Sequence, residues 1–434
     1  MHQPGWYVTT VVLCLAVMIV ATYALGQRGG AFRASRDHPA IAYTDGPVAN
    51  AVADLNRQLE DGTVQLTFEG RGGYLGSVLD ALNVPVESQV AVFSPTSNQE
   101  ELISSENPRA IYFADSVAVG WVRDAPLLEL AVQDRQQGTL FYTLPQMPNG
   151  VPRFTRNNNC LACHLSWDTL GVPGLQVLSM APLSADPNAY ASGFVSDHRS
   201  RLVDRWGGWY VTGAHGGVAH MGNVEVMDVA DPTATFGVVP AAIESLEGQF
   251  DLDGYPSVHS DIVALLVLDH QTHMTNLITR VGWEARRMLF RDQGQSTGDP
   301  RFEELMREAA SELVDYLLFV DEVPLPAGIE GSSRFAEEFS ARGPRDDSGR
   351  SLREISLEGR LFRYPCSYMI YTEAFDALPA LATEAVYTRM WEILSGGITE
   401  APYSRLSLVD RQATVEILAA TKPDLPSYFG PITR

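Results

Sequence analysis

The sequence predicts an α+β protein with an antiparallel sheet in its N-terminal lobe and a mainly helical C-terminal half. Two observations carry this. Between Gln89 and Leu144 the chain is cut into short β-branched and aromatic runs separated by turn-rich pieces. From Ser257 onward the apolar residues instead recur at three-to-four spacing over long stretches. The connections between the short runs are too brief for crossover helices, which favours antiparallel pairing.

In chain order, Val48–Leu59 and Gly73–Leu82 have helical spacing, the second with Leu75, Val78, Leu79 and Leu82 on one stripe. Strands are expected at Gln89–Phe93, Ala110–Phe113, Val117–Val122, Leu127–Val132 and Thr139–Leu144. Trp167–Gly174 reads as a loop, and Leu175–Leu183 as a return to the sheet. Ser260–Phe290 runs as one helix with Asp261 in its first turn, and Phe302–Val320 is a second, closed by Pro324-Leu325-Pro326. A polar linker spans 343–349, and Thr383–Leu394 and Leu408–Ala420 are later helices. The last opens with Ser407 and Asp410, a capping-box pattern.

The chain has 434 residues and a formal charge of −22, with 53 acidic against 31 basic side chains. Such a balance repels phosphates and argues against a nucleic-acid partner. It suits a partner protein presenting a basic patch. Val8–Leu25 is almost wholly apolar, interrupted only by threonines and Tyr23, and Ala24-Leu25-Gly26 is a small-residue cleavage site. Residues 1–26 therefore read as a secretory signal or as an uncleaved membrane anchor through 8–25, with 27–37 a linker. Either reading puts the body of the chain in the periplasm or on the periplasmic face of an inner membrane.

Within that body, Asn157-Asn158-Asn159-Cys160-Leu161-Ala162-Cys163-His164 contains C-x-x-C-H, the attachment signature of a c-type haem. Two thiols three residues apart can each bond one vinyl group of the same porphyrin, and the histidine becomes an axial ligand of its iron. A thioredoxin-like dithiol would need a βαβ context, and a structural zinc would need a second ligand pair. Neither is present in the sequence. Cys14 lies in the apolar run and Cys366 far downstream, so no disulfide framework forms, and Cys366 reads as a small buried apolar residue. The implied organisation is an α+β lobe over 38–145, a haem-binding segment over 146–235 and a mainly helical region over 236–434, with one covalent haem c.

His164 leaves one axial position of the iron to another ligand. Met221, on a glycine-rich turn 57 residues later, is the leading candidate, because a thioether there raises the potential as an electron carrier requires. Met180, His215, His220, His270 and His273 are the alternatives. Arg199 or Arg205 would pair with the haem propionates, and Trp206, Trp209 and Tyr210 would wall the porphyrin or form an aromatic core corner. His259, His270 and His273 fall on one expected helix face with Val263, Leu266 and Leu277. They read as core residues, as a polar seam or proton path, or as a metal site with Asp269.

Cys160–His164 followed by Gly171-Val172-Pro173-Gly174 is similar to exported bacterial monohaem c-type cytochromes. Arg205–Gly213 leading to His220-Met221-Gly222-Asn223 resembles a group of large envelope proteins carrying such a haem, to which no reaction is attached. The resemblance implies haem and export, and transfers onto Cys160, Cys163 and His164. Small soluble cytochromes c carry the motif near the N-terminus, unlike this chain, and diheme peroxidases carry it twice. The expected role is electron transfer by a monohaem cytochrome. The alternatives are a peroxidase- or oxygenase-like haem enzyme using His220 or His270 as acid/base, or a haem redox or gas sensor.

Overall fold

A computed structural model of the protein describes residues 35–148, 151–180, 193–224, 237, 239–291 and 300–432. The expected export or anchor segment, Cys14 and linker residues 27–34 lie outside the described residues, as does 181–183 at the end of the expected return strand.

The alternation of the N-terminal strands is realised as a meander of six antiparallel strands. These are β1 (Val90–Val92), β2 (Arg109–Phe113), β3 (Val117–Trp121), β4 (Leu127–Asp134), β5 (Gly138–Pro145) and β6 (Thr155–Arg156). Register puts Tyr112 opposite Val119, Val119 opposite Leu130, and Leu130 opposite Tyr142. With Leu128, Val132, Leu140 and Leu144 these side chains form one buried face. It packs under helices α1 (Ala51–Glu60) and α2 (Leu75–Ala81), which bury Val52, Leu55 and Leu59 and Leu75, Val78 and Leu79. The side chain of Asn50 caps α1 by accepting from Ala53 N at 3.0 Å, which satisfies one of the helix's free N–H groups.

Beyond β6 the chain makes a one-turn helix, α3 (Leu161–His164), then β7 (Val177–Ser179), β8 (Phe194–Ser196), β9 (Trp209–Tyr210) and β10 (Gly213–His215). The expected return to the sheet at Leu175–Leu183 is corrected in one respect. β7 pairs with β8 in a separate ribbon, Val177 opposite Ser196, and β9 is the strand that joins the sheet. It takes the free edge of β1, with Ala91 opposite Tyr210 and Val92 opposite Trp209. Trp209 still ties the two together, donating from Nε1 to Leu178 O at 2.8 Å.

The C-terminal half is organised around α4 (Ile262–Arg291), a helix of 30 residues, about 45 Å long at 1.5 Å per residue. Every residue from Ile262 to Thr279 is buried, so this is a central helix rather than an amphipathic surface one. Asp261 starts it. One carboxylate oxygen accepts from Val263 N at 2.7 Å, and the other accepts from Ser333 N and Oγ, each at 2.7 Å. Ser333 lies just beyond β11 (Ile329–Gly331), the partner of β10. His259 therefore lies before the helix, with Nδ1 3.1 Å from Glu244 O, and does not share its face with His270 and His273.

Around α4 pack α5 (Pro300–Leu317), α6 (Phe335–Ala341), α7 (Glu373–Asp376) and α8 (Ala380–Leu394), and α9 (Leu408–Thr421) packs on α8. The capping box of α9 is present, with Ser407 accepting from Asp410 N at 3.1 Å and donating to Asp410 Oδ2 at 2.8 Å. α4 also reaches the sheet, where Gln271 Nε2 donates to Ala114 O at 2.7 Å and Gln133 Nε2 to Thr279 Oγ1 at 3.0 Å. Sheet lobe and helical half thus meet on one sheet face. Among the described residues no helix is long and apolar enough to cross a membrane.

Candidate functional site

The motif is held against that same sheet face. Phe154 is fixed to α1 by a reciprocal pair of bonds with Asn56, 2.8 and 2.9 Å long. β6 then sets Arg156 opposite Tyr142, with its guanidinium over the Tyr43 ring at 4.5 Å. Asn157 accepts from Asn159 N at 3.1 Å and turns the chain into α3. Leu161 is buried and anchors this turn, leaving Cys160 half-buried and Cys163 exposed one helical turn on. The spacing of three therefore puts both sulfurs on one side of the turn.

His164 lies over Phe141, ring centroids 4.8 Å apart. Its Nδ1 is 2.9 Å from Gly174 O, and a carbonyl only accepts, so Nδ1 carries the proton. Burial, the largest effect, pushes the imidazole down to about 4. The ring is neutral near pH 7, with its lone pair on Nε2, which makes no hydrogen bond among the described residues. This is the tautomer and orientation a metal-ligating histidine needs, set by the bond on its other nitrogen.

The carbonyl that orients His164 is itself fixed from α4. Asn276 accepts from Leu175 N at 3.0 Å and donates to Leu175 O at 2.7 Å. A side chain at Gly174 would begin 2.1 Å from Asn276 Oδ1, so only glycine allows this approach.

Near the sulfurs, Arg109 and Glu129 form an ion pair at 3.3 Å, and Ser97 donates to Glu129 at 3.2 Å. The guanidinium lies over Gly120, where a Cβ would fall 2.5 Å from Nη2. Arg109 Nε is buried with no partner among the described residues. Asn98 Nδ2 lies 3.7 Å from Cys160 Sγ. Burial first, and Glu129 next, raise the Cys160 thiol to about 11, and burial raises Cys163 as well. Both are held as neutral thiols, the reverse of the lowered values that activate redox dithiols and nucleophilic cysteines.

The two thiols and the imidazole are the donor set a covalently attached haem needs, and the Phe141 ring lies beside the histidine. On the sheet face next to it, Phe141, Ala131, Ala118 and Phe113 form one paired row and Thr143, Glu129, Gly120 and Ile111 the next. The Arg109 guanidinium covers Gly120, and Ile111 and Ala118 pack against the helical core. At its donors, the residues present fit the group.

Cys160, Cys163 and His164 lie together on one turn, and the axial-ligand candidates among the described residues are bonded elsewhere. Met221 is half-buried, its backbone N on Arg205 O at 2.9 Å and its sulfur 4.0 Å from Ser179 Oγ. Met180 is buried, its N on Gly207 O at 3.1 Å. Both lie at the end of β7 away from Gly174.

His215 and His220 meet edge to face at 5.1 Å, and His220 Nδ1 accepts from Gly222 N at 3.0 Å. His270 and His273 face the 196–206 segment. Arg205 is paired with Asp269 at 3.3 Å and Arg199 with Asp197 at 2.6 Å, so the cation beside the motif is Arg109. Trp206 and Trp209 belong to the main helical core, as does Cys366, whose thiol burial raises. Arg109, Glu129 and His198 were missed as site residues in the sequence. An alternating strand does not say which of its charges turns inward, and His198 showed itself only as part of the polar string Ser196-Asp197-His198-Arg199-Ser200.

Among the described residues no three His, Cys, Asp or Glu side chains are grouped so as to hold a metal ion. No family model, curated protein or solved structure matches the chain.

Proposed function

We propose that the chain is a c-type cytochrome of the bacterial cell envelope. One haem is bound covalently through Cys160 and Cys163, with His164 as axial ligand, and it serves electron transfer. The observation that carries this reading is the His164 imidazole, neutral and oriented by Gly174 O, with Nε2 free beside two neutral thiols one helical turn apart. When bound, the group supplies a reversible one-electron change at iron. The chain's own part is to hold the imidazole and to place the Arg109–Glu129 pair beside the sulfurs.

The sequence's candidate for the second axial position is Met221, whose thioether would suit the higher potential of a carrier; its sulfur lies by Ser179 in this fold, so ligation would require the segment that carries it to move. Residues 1–26 carry the export signal or anchor, and the charge of −22 favours a redox partner with a basic docking patch. Optical spectra of the purified oxidised and reduced protein test the function. A methionine–iron charge-transfer band is expected, lost in Met221→Ala. Rapid carbon monoxide binding to the unmodified reduced protein would overturn the carrier reading in favour of a haem enzyme or sensor.

A further inference from the structure

Away from the motif, the segment 196–206 is fastened to three polar positions of α4, Asp269, His270 and His273. Ser196 Oγ donates to Asp269 Oδ1 at 2.8 Å, while Trp206 Nε1 and Arg205 Nη1 reach Asp269 Oδ2 at 3.0 and 3.3 Å. His198 Nδ1 lies 2.8 Å from His270 Nδ1, so one proton sits between the two rings and a second would set donor against donor. His270 Nε2 is bonded to Ser367 Oγ at 2.7 Å, which extends the chain into the C-terminal region. Arg199 Nη2 lies 2.9 Å from His273 Nε2. A guanidinium only donates, so His273 must be neutral to accept.

We infer that this junction is an acid-sensitive latch. It is closed while His198 and His270 share one proton and His273 is neutral, and it opens when imidazoles on its two sides are protonated. The inference is independent of the haem reading.

Charged and titratable groups face the three rings from each element packed on them. On α4 these are Asp269 and Arg280, and on the segment Asp197, Arg199 and Arg205. From α5 come Glu312 and Tyr316, whose ring stacks on His198 at 3.9 Å. From the C-terminal region come Ser367 and Tyr368. Two arginines beside the rings add to the cost of a further positive charge, while Asp197, 3.9 Å from Nδ1, and Glu312 ease protonation of His273.

The sign follows from burial. It lowers His270 to about 3, His273 to about 4 and His198 well below its ordinary value. Opened, each returns toward about 6.5. The closed form is therefore fully favoured above that value and loses its advantage as pH falls toward about 4. Asp197, held low in the closed form by Arg199, works in the same sense at lower pH. Asp269 works against it, because burial raises it to about 6 and it holds a proton more readily when closed. Glu322 works in the same direction as Asp269: burial raises it to about 7, Arg205 acts on it, and its neighbour Val323 N donates to His198 O at 3.0 Å. Three imidazoles against two carboxyls leave opening as the net response to acid.

What the latch holds is specific. Arg205 O accepts from Met221 N, Gly207 O from Met180 N, and Gly208 O from Phe93 N and Ser94 N, before β9 pairs with β1. Opening frees the stretch that positions both methionines.

Hydrogen–deuterium exchange of the full chain from pH 7 to pH 4.5, corrected for intrinsic rates, tests this. Peptides over 196–210 should gain at least about tenfold in exchange on acidification while β2–β5 stay protected, a tenfold gain being one decade in the opening equilibrium. His270→Gln and His273→Gln, which hydrogen-bond without titrating, should each move the midpoint to lower pH. Unchanged exchange at 196–210, loss of the sheet at the same pH, or an unshifted midpoint would overturn the latch. If His270→Gln does not fold, His273→Gln alone decides.

Discussion

Cys160→Ala combined with Cys163→Ala is expected to give a chain with no haem stain after denaturation, whereas the unmodified chain matured in the same haem-attaching host should stain. Thioethers alone would survive denaturation, since His164 loses its orientation once Gly174 and Phe141 move away from it. The fold should tolerate the change. Cys163 is exposed, and half-buried Cys160 packs only at the border of the N-terminal core, so the pair should cost no more than about 1–2 kcal/mol of stability. A far-ultraviolet spectrum unchanged beside a lost stain separates loss of attachment from loss of folding. Stain retained in the double variant would contradict the assignment of the two sulfurs.

The largest effect on stability is expected at Asp269→Ala. The carboxylate is fully buried, and three donors converge on it, from Ser196, Arg205 and Trp206. Arg205 is 1% exposed, so removing its counter-charge strands a buried guanidinium. Breaking such a pair from one side costs about 3–5 kcal/mol, enough to unfold many domains near their working temperature. The exposed pair of Asp54 and Arg57 is the control: Asp54→Ala should change stability by less than about 1 kcal/mol. Urea unfolding of the two variants measures the difference. Equal and small losses would show that the junction of the 196–206 segment with α4 does not hold the helical half together.

Most of the architecture was legible because it rests on local periodicity. Leu75, Val78 and Leu79 do line the buried stripe of α2, and β1 to β5 fall within two residues of their expected ends, while β6 was not expected. Ser407 and Asp410 cap α9 by the pattern they spell. What was not legible depends on pairing between distant segments. Nothing local in Trp209-Tyr210 says that it completes the sheet by covering β1, and nothing in Leu175–Leu183 says that its first residues pair with β8.

The candidate site divides in the same way. Cys160, Cys163 and His164 stand out because their chemistry is written at fixed spacing. Gly174 was visible as a loop residue, yet its role as the acceptor for His164 depends on Asn276, more than a hundred residues on. Arg205 and Arg199 looked suited to propionates because free arginines are. Their acidic partners, Asp269 on another element and Asp197 two residues away, claim them instead. Of the expected histidine group, His270 and His273 share α4 while His259 lies before it, and the partner of His270, His198, comes from a different part of the chain.

The central claim is that a porphyrin is bonded to this polypeptide at Cys160 and Cys163. Intact-mass analysis of the full chain, matured in a host that attaches haem and then denatured, tests it most directly. The account predicts a single species heavier than the polypeptide by one haem, with the added mass confined on digestion to the peptide containing residues 160–164. Only the bare polypeptide mass, from a host that loads a control cytochrome in parallel, would contradict it.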